Sequence, residues 1–156
     1  MKRILSVAIT AFTLALAIPT AAWAQSGHFV GTPTCTDEGT IVVCTGKVAG
    51  LGSTTFQIQT DAVGIASVEC TNPGGNVAPG QDTEVTTSGT TGEIPTPRNG
   101  QFRFSGQTDD PEPLPATPTC PNNQWTPNIT DVEFNEATVT LLEGGVVSDV
   151  VTVLVG

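Results

Sequence analysis

The chain has 156 residues, among them 17 glycines, 12 prolines and no tyrosine, and carries a formal charge of −10 at pH 7. A charge of that sign repels nucleic acid and anionic lipid, so neither is expected as a partner. Gly and Pro at this abundance break helices and mark turns, while frequent Thr and Val favour strands, so a single all-β domain is the expected class for this length.

The first element is an export signal. Lys2 and Arg3 precede an apolar stretch from Ile4 to Ile18, Pro19 and Thr20 end it, and Ala22-Trp23-Ala24 supplies the small residues that a signal peptidase reads. Positive charge, apolar core and A-x-A site in that order predict a cleaved signal peptide over residues 1–24. A spanning helix needs about 20 apolar residues, more than this core offers, and no Cys stands near Gln25 to carry a lipid anchor. Cleavage leaves residues 25–156 as one mature domain. Its basic residues are Lys47, Arg98 and Arg103, three against 15 acidic ones, which makes the formal charge −12. No later stretch is long and apolar enough to cross a bilayer, so the mature protein is expected to be secreted to the extracellular space with no membrane attachment.

The mature chain then reads as short strands by their alternation. His28-Phe29-Val30 is a short first strand. Thr40 to Ala49 follows, with Val42, Cys44, Gly46 and Val48 on one face. Thr54 to Thr60 sets Phe56 and Ile58 apart from Gln57 and Gln59, and Ile65 to Thr71 puts Ala66, Val68 and Cys70 on one side. Glu84 to Ser88 is a polar edge candidate. Gln101 to Ser105 turns Phe102 and Phe104 inward and Arg103 outward. Ile129, Val132 and Phe134 form a strand whose spacing slips by one residue, the mark of a bulge. Ala137 to Leu142 and Val146 to Val155 make a hairpin closed around Glu143-Gly144-Gly145. Turn signals at Asn72-Pro73-Gly74-Gly75-Asn76, Ala78-Pro79-Gly80 and Pro97-Arg98-Asn99-Gly100 separate them. The stretch Asp109 to Pro121 holds five prolines and is expected to be an extended, exposed crossover between sheets. About seven to nine antiparallel strands of this kind predict a β-sandwich.

Four cysteines stand at 35, 44, 70 and 120 without a C-x-x-C pair, and His28 is the single histidine. Zinc sites use close ligand pairs and exported proteins form disulfides, so two bridges are expected and no metal. Four cysteines allow three pairings. The turn signal Asp37-Glu38-Gly39 between Cys35 and Cys44 predicts a hairpin that pairs those two, leaving Cys70 to tie the proline-rich loop down through Cys120.

The stretches Cys35-Thr36-Asp37-Glu38-Gly39, Cys44-Thr45-Gly46, Cys70-Thr71-Asn72-Pro73-Gly74-Gly75-Asn76 and Cys120-Pro121-Asn122-Asn123-Gln124-Trp125 resemble those of small secreted bacterial proteins with an immunoglobulin-like β-sandwich. The resemblance implies that fold and no activity. The chain departs from the antibody pattern, because Trp125 follows the last cysteine where antibody domains place the tryptophan between two core cysteines.

Catalytic constellations are sparse. A serine triad needs a histidine held by a third group, and His28 lies at the mature N-terminus. No G-x-S-x-G stands in the chain, and Lys47 has no marked partner. Carboxylates cluster at Asp109, Asp110 and Glu112, and again at Asp131, Glu133 and Glu136, but glycosidases also need platforms for sugar rings, and Trp125 is the one mature tryptophan. Neither cluster has the spacing of a calcium loop. Leu114-Pro115-Ala116-Thr117-Pro118 resembles a wall-sorting signal but is internal, with Pro in place of its final Gly.

The expectation is therefore a secreted, non-enzymatic binding or structural module without cofactor. Loops on a rigid sandwich would contact an extracellular protein or surface component. The candidate contact loops are Asn72 to Gln81 and Asp109 to Trp125, with Asp109, Asp110, Glu112 and Trp125 as contact residues. The alternative is a secreted hydrolase inhibitor presenting a rigid loop near Cys120, and a weaker one is a small carboxylate-dependent hydrolase.

Overall fold

The computed structural model describes residues 27–156; the signal peptide expected over 1–24 and its cleavage site lie outside the described residues. In chain order the elements are β1 (His28–Phe29), β2 (Thr34–Asp37), β3 (Val42–Ala49), β4 (Thr55–Thr71), β5 (Val77–Pro79), β6 (Thr83–Thr90), β7 (Ile94–Pro95), β8 (Phe102–Gln107), the single turn α1 (Ala116–Thr119), β9 (Thr126–Glu143) and β10 (Val146–Leu154).

Two antiparallel sheets face each other as a sandwich. In the first, β3 is central: β8 pairs along one side of it, and β1 and β2 share the other side in tandem. In the second the order is β10, β9, β4, and the far side of β4 is taken in tandem by β7, β6 and β5. Three strand positions thus lie over four. Alternation builds the core between them. Val42, Cys44, Val48 and Phe104 point in from the first sheet, and Phe56, Ile58, Val132, Val139 and Leu141 from the second. Phe56 of the second sheet meets Phe102 of the first edge-on, with ring centroids 5.3 Å apart. Each such side chain taken fully from water contributes about 1.5–3 kcal/mol.

The two strands expected at Thr54 to Thr60 and Ile65 to Thr71 are one continuous strand, β4, buried at every second residue from Phe56 to Cys70. The two expected at Ile129 to Phe134 and Ala137 to Leu142 are likewise one, β9, which runs on through Glu143. The hairpin to β10 is therefore closed by Gly144-Gly145 alone, at φ of 56° and 82°, a left-handed pair that only glycine adopts freely. Pairing of β9 to β4 skips Thr130 and Asn135, and the first of these is the bulge that the slip between Ile129 and Val132 predicts. β2 is the first arm of the hairpin expected around Asp37-Glu38-Gly39; β5 and β7 were not expected as strands and span only three and two residues.

Both disulfides pair as the hairpin argument predicts. Cys35 and Cys44 sit directly opposite in the β2–β3 ladder, Cα atoms 4.1 Å apart. Cys70 at the end of β4 bridges to Cys120, with a Cα separation of 5.8 Å. The open sides of the sandwich are drawn together at both margins. On one, Val155 bridges to Cys35 and Gly156 N–H donates to Cys35 O at 3.2 Å, joining the chain end to β2. On the other, Asp109 N–H donates to Ser88 O at 3.1 Å, joining the exit of β8 to β6.

Candidate functional site

The proline-rich crossover leaves the first sheet after β8 and enters the second at β9, and its ends are fixed before its middle is free to vary. Thr108 is fully buried. Its backbone N–H donates to Val42 O at 3.0 Å, and its Oγ1 accepts from Val42 N–H at the same distance, so the residue docks as one more rung of the sheet. At the far end Thr119 is buried, its carbonyl accepts from Gln81 N–H at 2.9 Å, and Cys120 is bridged to Cys70. The Asn72 to Gln81 and Asp109 to Trp125 loops are thereby brought together at one end of the sandwich.

Between those anchors the loop walls a groove of about 240 Å³ lined by Thr40, Asp110, Pro111, Pro113, Leu114, Pro127, Asn128 and Ile129. Three separate segments meet here: the β2–β3 turn, the crossover and the start of β9. Thr40 Oγ1–H donates to Asp110 Oδ1 at 2.6 Å, which holds the loop against the turn. Leu114 and Ile129 are partly buried and pack on the core. The prolines present rigid apolar surface that loses little entropy on contact. Of the four contact residues expected from the sequence, Asp110 lines the groove. Asp109 and Glu112 are exposed on the same loop, and Trp125 is half-buried two residues before Pro127. Asp131, Glu133 and Glu136 are exposed on β9 and do not line the groove. Among the described residues no group of three or more His, Cys, Asp or Glu is placed to hold a metal ion.

One chemically notable carboxylate lay hidden in the expected hairpin turn. Glu143 is 0% exposed. Its Oε1 accepts from Gly52 N–H at 2.7 Å and Ser53 N–H at 3.2 Å, and its Oε2 accepts from Gly27 N–H at 2.9 Å and Ser148 Oγ–H at 2.8 Å. Burial raises its pKa, but the hydrogen bonds from Gly52, Ser148, Ser53 and Gly27 favour the charged form and hold the group below its ordinary value of 4.5. The chain makes room for this: a Cβ at Gly27 would lie 2.5 Å from Glu143 Oε2. Enclosed and saturated with donors, the carboxylate serves to fasten the N-terminal segment and the 52–53 turn to the β9–β10 hairpin. A signal for it existed, since Glu143 keeps the inward parity of Ala137, Val139 and Leu141. No such signal marked Thr40, Pro127 or Ile129 as neighbours of Asp110.

No family model matches the chain, and no curated protein or solved structure is similar to it at a significant level.

Proposed function

We propose that the protein is an exported, non-enzymatic binding module of immunoglobulin-like build, and that it meets an extracellular protein or surface component through the end of the sandwich that carries the crossover loop. The observation that carries this reading is the groove itself: apolar Pro111, Pro113, Leu114, Pro127 and Ile129 beside the carboxylate of Asp110, on a loop tied at Thr108 and Cys120. Such a surface suits an apolar side chain flanked by a cation. Two disulfides fit an oxidising compartment, and a mature charge of −12, from three basic and 15 acidic residues, argues against nucleic acid and anionic membranes as partners. Two antiparallel sheets with three strand positions over four support the immunoglobulin-like assignment. Against it, neither bridge links facing central strands of the two sheets, as the antibody disulfide does.

The test compares the mature protein with Asp110→Lys and Leu114→Asp variants as baits in culture supernatant. A partner held by the parent and lost by both variants, with unchanged melting temperatures, supports the reading. A partner held equally by all three places the contact elsewhere. Hydrolase activity of the pure protein that a single carboxylate substitution abolishes would overturn the non-enzymatic part.

A second reading has its own observation. Pro79, Gly80, Gln81, Pro118, Thr119, Cys120 and Pro121 form a corner braced by the Cys70–Cys120 bridge, the kind of rigid loop a hydrolase inhibitor presents. Stoichiometric inhibition of a secreted hydrolase, lost on proteolytic nicking at 118–121, would favour it.

A further inference from the structure

Two of the three basic residues of the mature chain stand side by side. Lys47 on β3 and Arg103 on β8 are directly opposite each other in the antiparallel ladder. Like charges in that position repel and destabilise a sheet. The chain has 15 acidic side chains with which to relieve the repulsion, yet among the described residues neither cation is ion-paired, and no carboxylate lines the surface around them. That surface is a shallow depression of about 400 Å³ lined by Val30, Thr32, Thr34, Thr45, Gly46, Lys47, Arg103 and Phe104. Its threonines add hydroxyl donors, and within the described residues none of the three hydroxyls is engaged in a hydrogen bond. Two juxtaposed cations and three free hydroxyls around a dip in an otherwise anionic molecule have the composition of an oxyanion site.

We propose that this depression binds a single oxyanion group, a sulfate, phosphate or carboxylate, bridged between the Lys47 ammonium and the Arg103 guanidinium with threonine hydroxyls at its rim. The overall negative field limits the ligand: a polyanion is repelled as a whole, whereas one compact charged group, free or on an otherwise neutral carrier such as a uronic acid, feels mainly the two cations within a Debye length of about 8 Å. The site shares no residue with the proline-lined groove and stands independently of the function proposed for it.

The test follows amide and Arg Nε resonances of the isotope-labelled mature protein while sodium sulfate and sodium glucuronate are titrated in at constant ionic strength. Saturable shifts centred on Lys47, Arg103, Thr34 and Thr45 are expected, with apparent affinity at least about tenfold weaker in Lys47→Gln or Arg103→Gln, since each variant removes one charge-assisted contact. Sulfate binding without glucuronate binding assigns a free inorganic anion; tighter glucuronate assigns a saccharide-borne carboxylate. Because both side chains are at the surface, the variants should fold. Arg103→Glu, which can pair with Lys47, should melt higher than the parent and show no saturable response. Shifts that are linear and dispersed, or that persist unchanged in the Lys47→Gln/Arg103→Gln double variant, would overturn the proposal.

Discussion

Glu143 shows how a charged residue becomes part of a core. A carboxylate buried without partners would cost several kcal/mol, but this one receives backbone N–H groups from Gly52, Ser53 and Gly27 and a hydroxyl from Ser148. In Glu143→Gln an amide NH₂ faces those donors, so a loss of about 2–4 kcal/mol is expected in urea unfolding. The carboxyl has a lowered pKa in the folded protein, so its contribution is complete above its ordinary value of 4.5 and is lost as pH falls through the lowered folded value. The stability difference between parent and Glu143→Gln should therefore be flat from pH 7 to 5 and shrink as the solution is acidified below 4.5; a difference independent of pH down to 2 would contradict the assignment. Gly27→Ala should be destabilising by about 1–3 kcal/mol at pH 7, because its methyl meets Oε2, and Glu143→Ala should remove most of that penalty when the two changes are combined.

At the scale of elements the two disulfides make unequal demands. They close loops with sequence separations of 9 and 50. Chain entropy assigns them about 2.7 and about 4 kcal/mol respectively, so Cys70→Ala/Cys120→Ala should lower the melting temperature more than Cys35→Ala/Cys44→Ala. A reversed order would mean that the short bridge matters chiefly through native packing of the fully buried Cys44. The sequence made the strands around Cys44 legible because Val42 and Val48 are large enough to mark the inward face. It did not make β4 legible as one strand, because the inward positions in its middle are Thr60, Ala62 and Gly64, which read as a break. Their size has a structural cause: a Cβ at Gly64 would lie 2.7 Å from Glu133 O, where β9 gains its extra residue Asn135. The groove was half legible. Asp110 and the prolines announce a rigid acidic loop, but its opposite wall comes from Thr40 and Ile129, and only sheet register puts those beside it.

At the scale of the whole molecule, electrostatics and closure dominate. Five basic against 15 acidic groups leave the protein self-repelling, so raising NaCl from about 10 mM to about 150 mM, which shortens the Debye length from about 30 Å to about 8 Å, should raise the melting temperature by a few degrees. A fall would mean that attractive pairs outweigh the net repulsion. Drawing the margins together at Cys35–Val155 and Ser88–Asp109 also covers part of the edges through which sheets add foreign strands. Deleting residues 155–156 uncovers β2 and should increase aggregation on heating relative to the chain that keeps them, as light scattering would show.

The fastening of Gly27 and Gly156 has a mechanical meaning. Gly27 is held by Glu143, which accepts from its N–H at 2.9 Å, and by Ser148 at the start of β10, whose single Oγ–H is shared between Gly27 O and Glu143 Oε2, each 2.8 Å away. Gly156 is held by Cys35 just past that strand's other end. Eight residues separate the two attachments, about 26 Å along a strand. Tension applied between residues 27 and 156 therefore acts along β10 and loads its ladder hydrogen bonds with β9 together in shear, where a pull between residues 135 and 155, at the open end of the hairpin, would peel them one by one. In single-molecule pulling, the tether through residues 27 and 156 should rupture at a distinctly higher force than one through residues 135 and 155, and Glu143→Gln should narrow that gap.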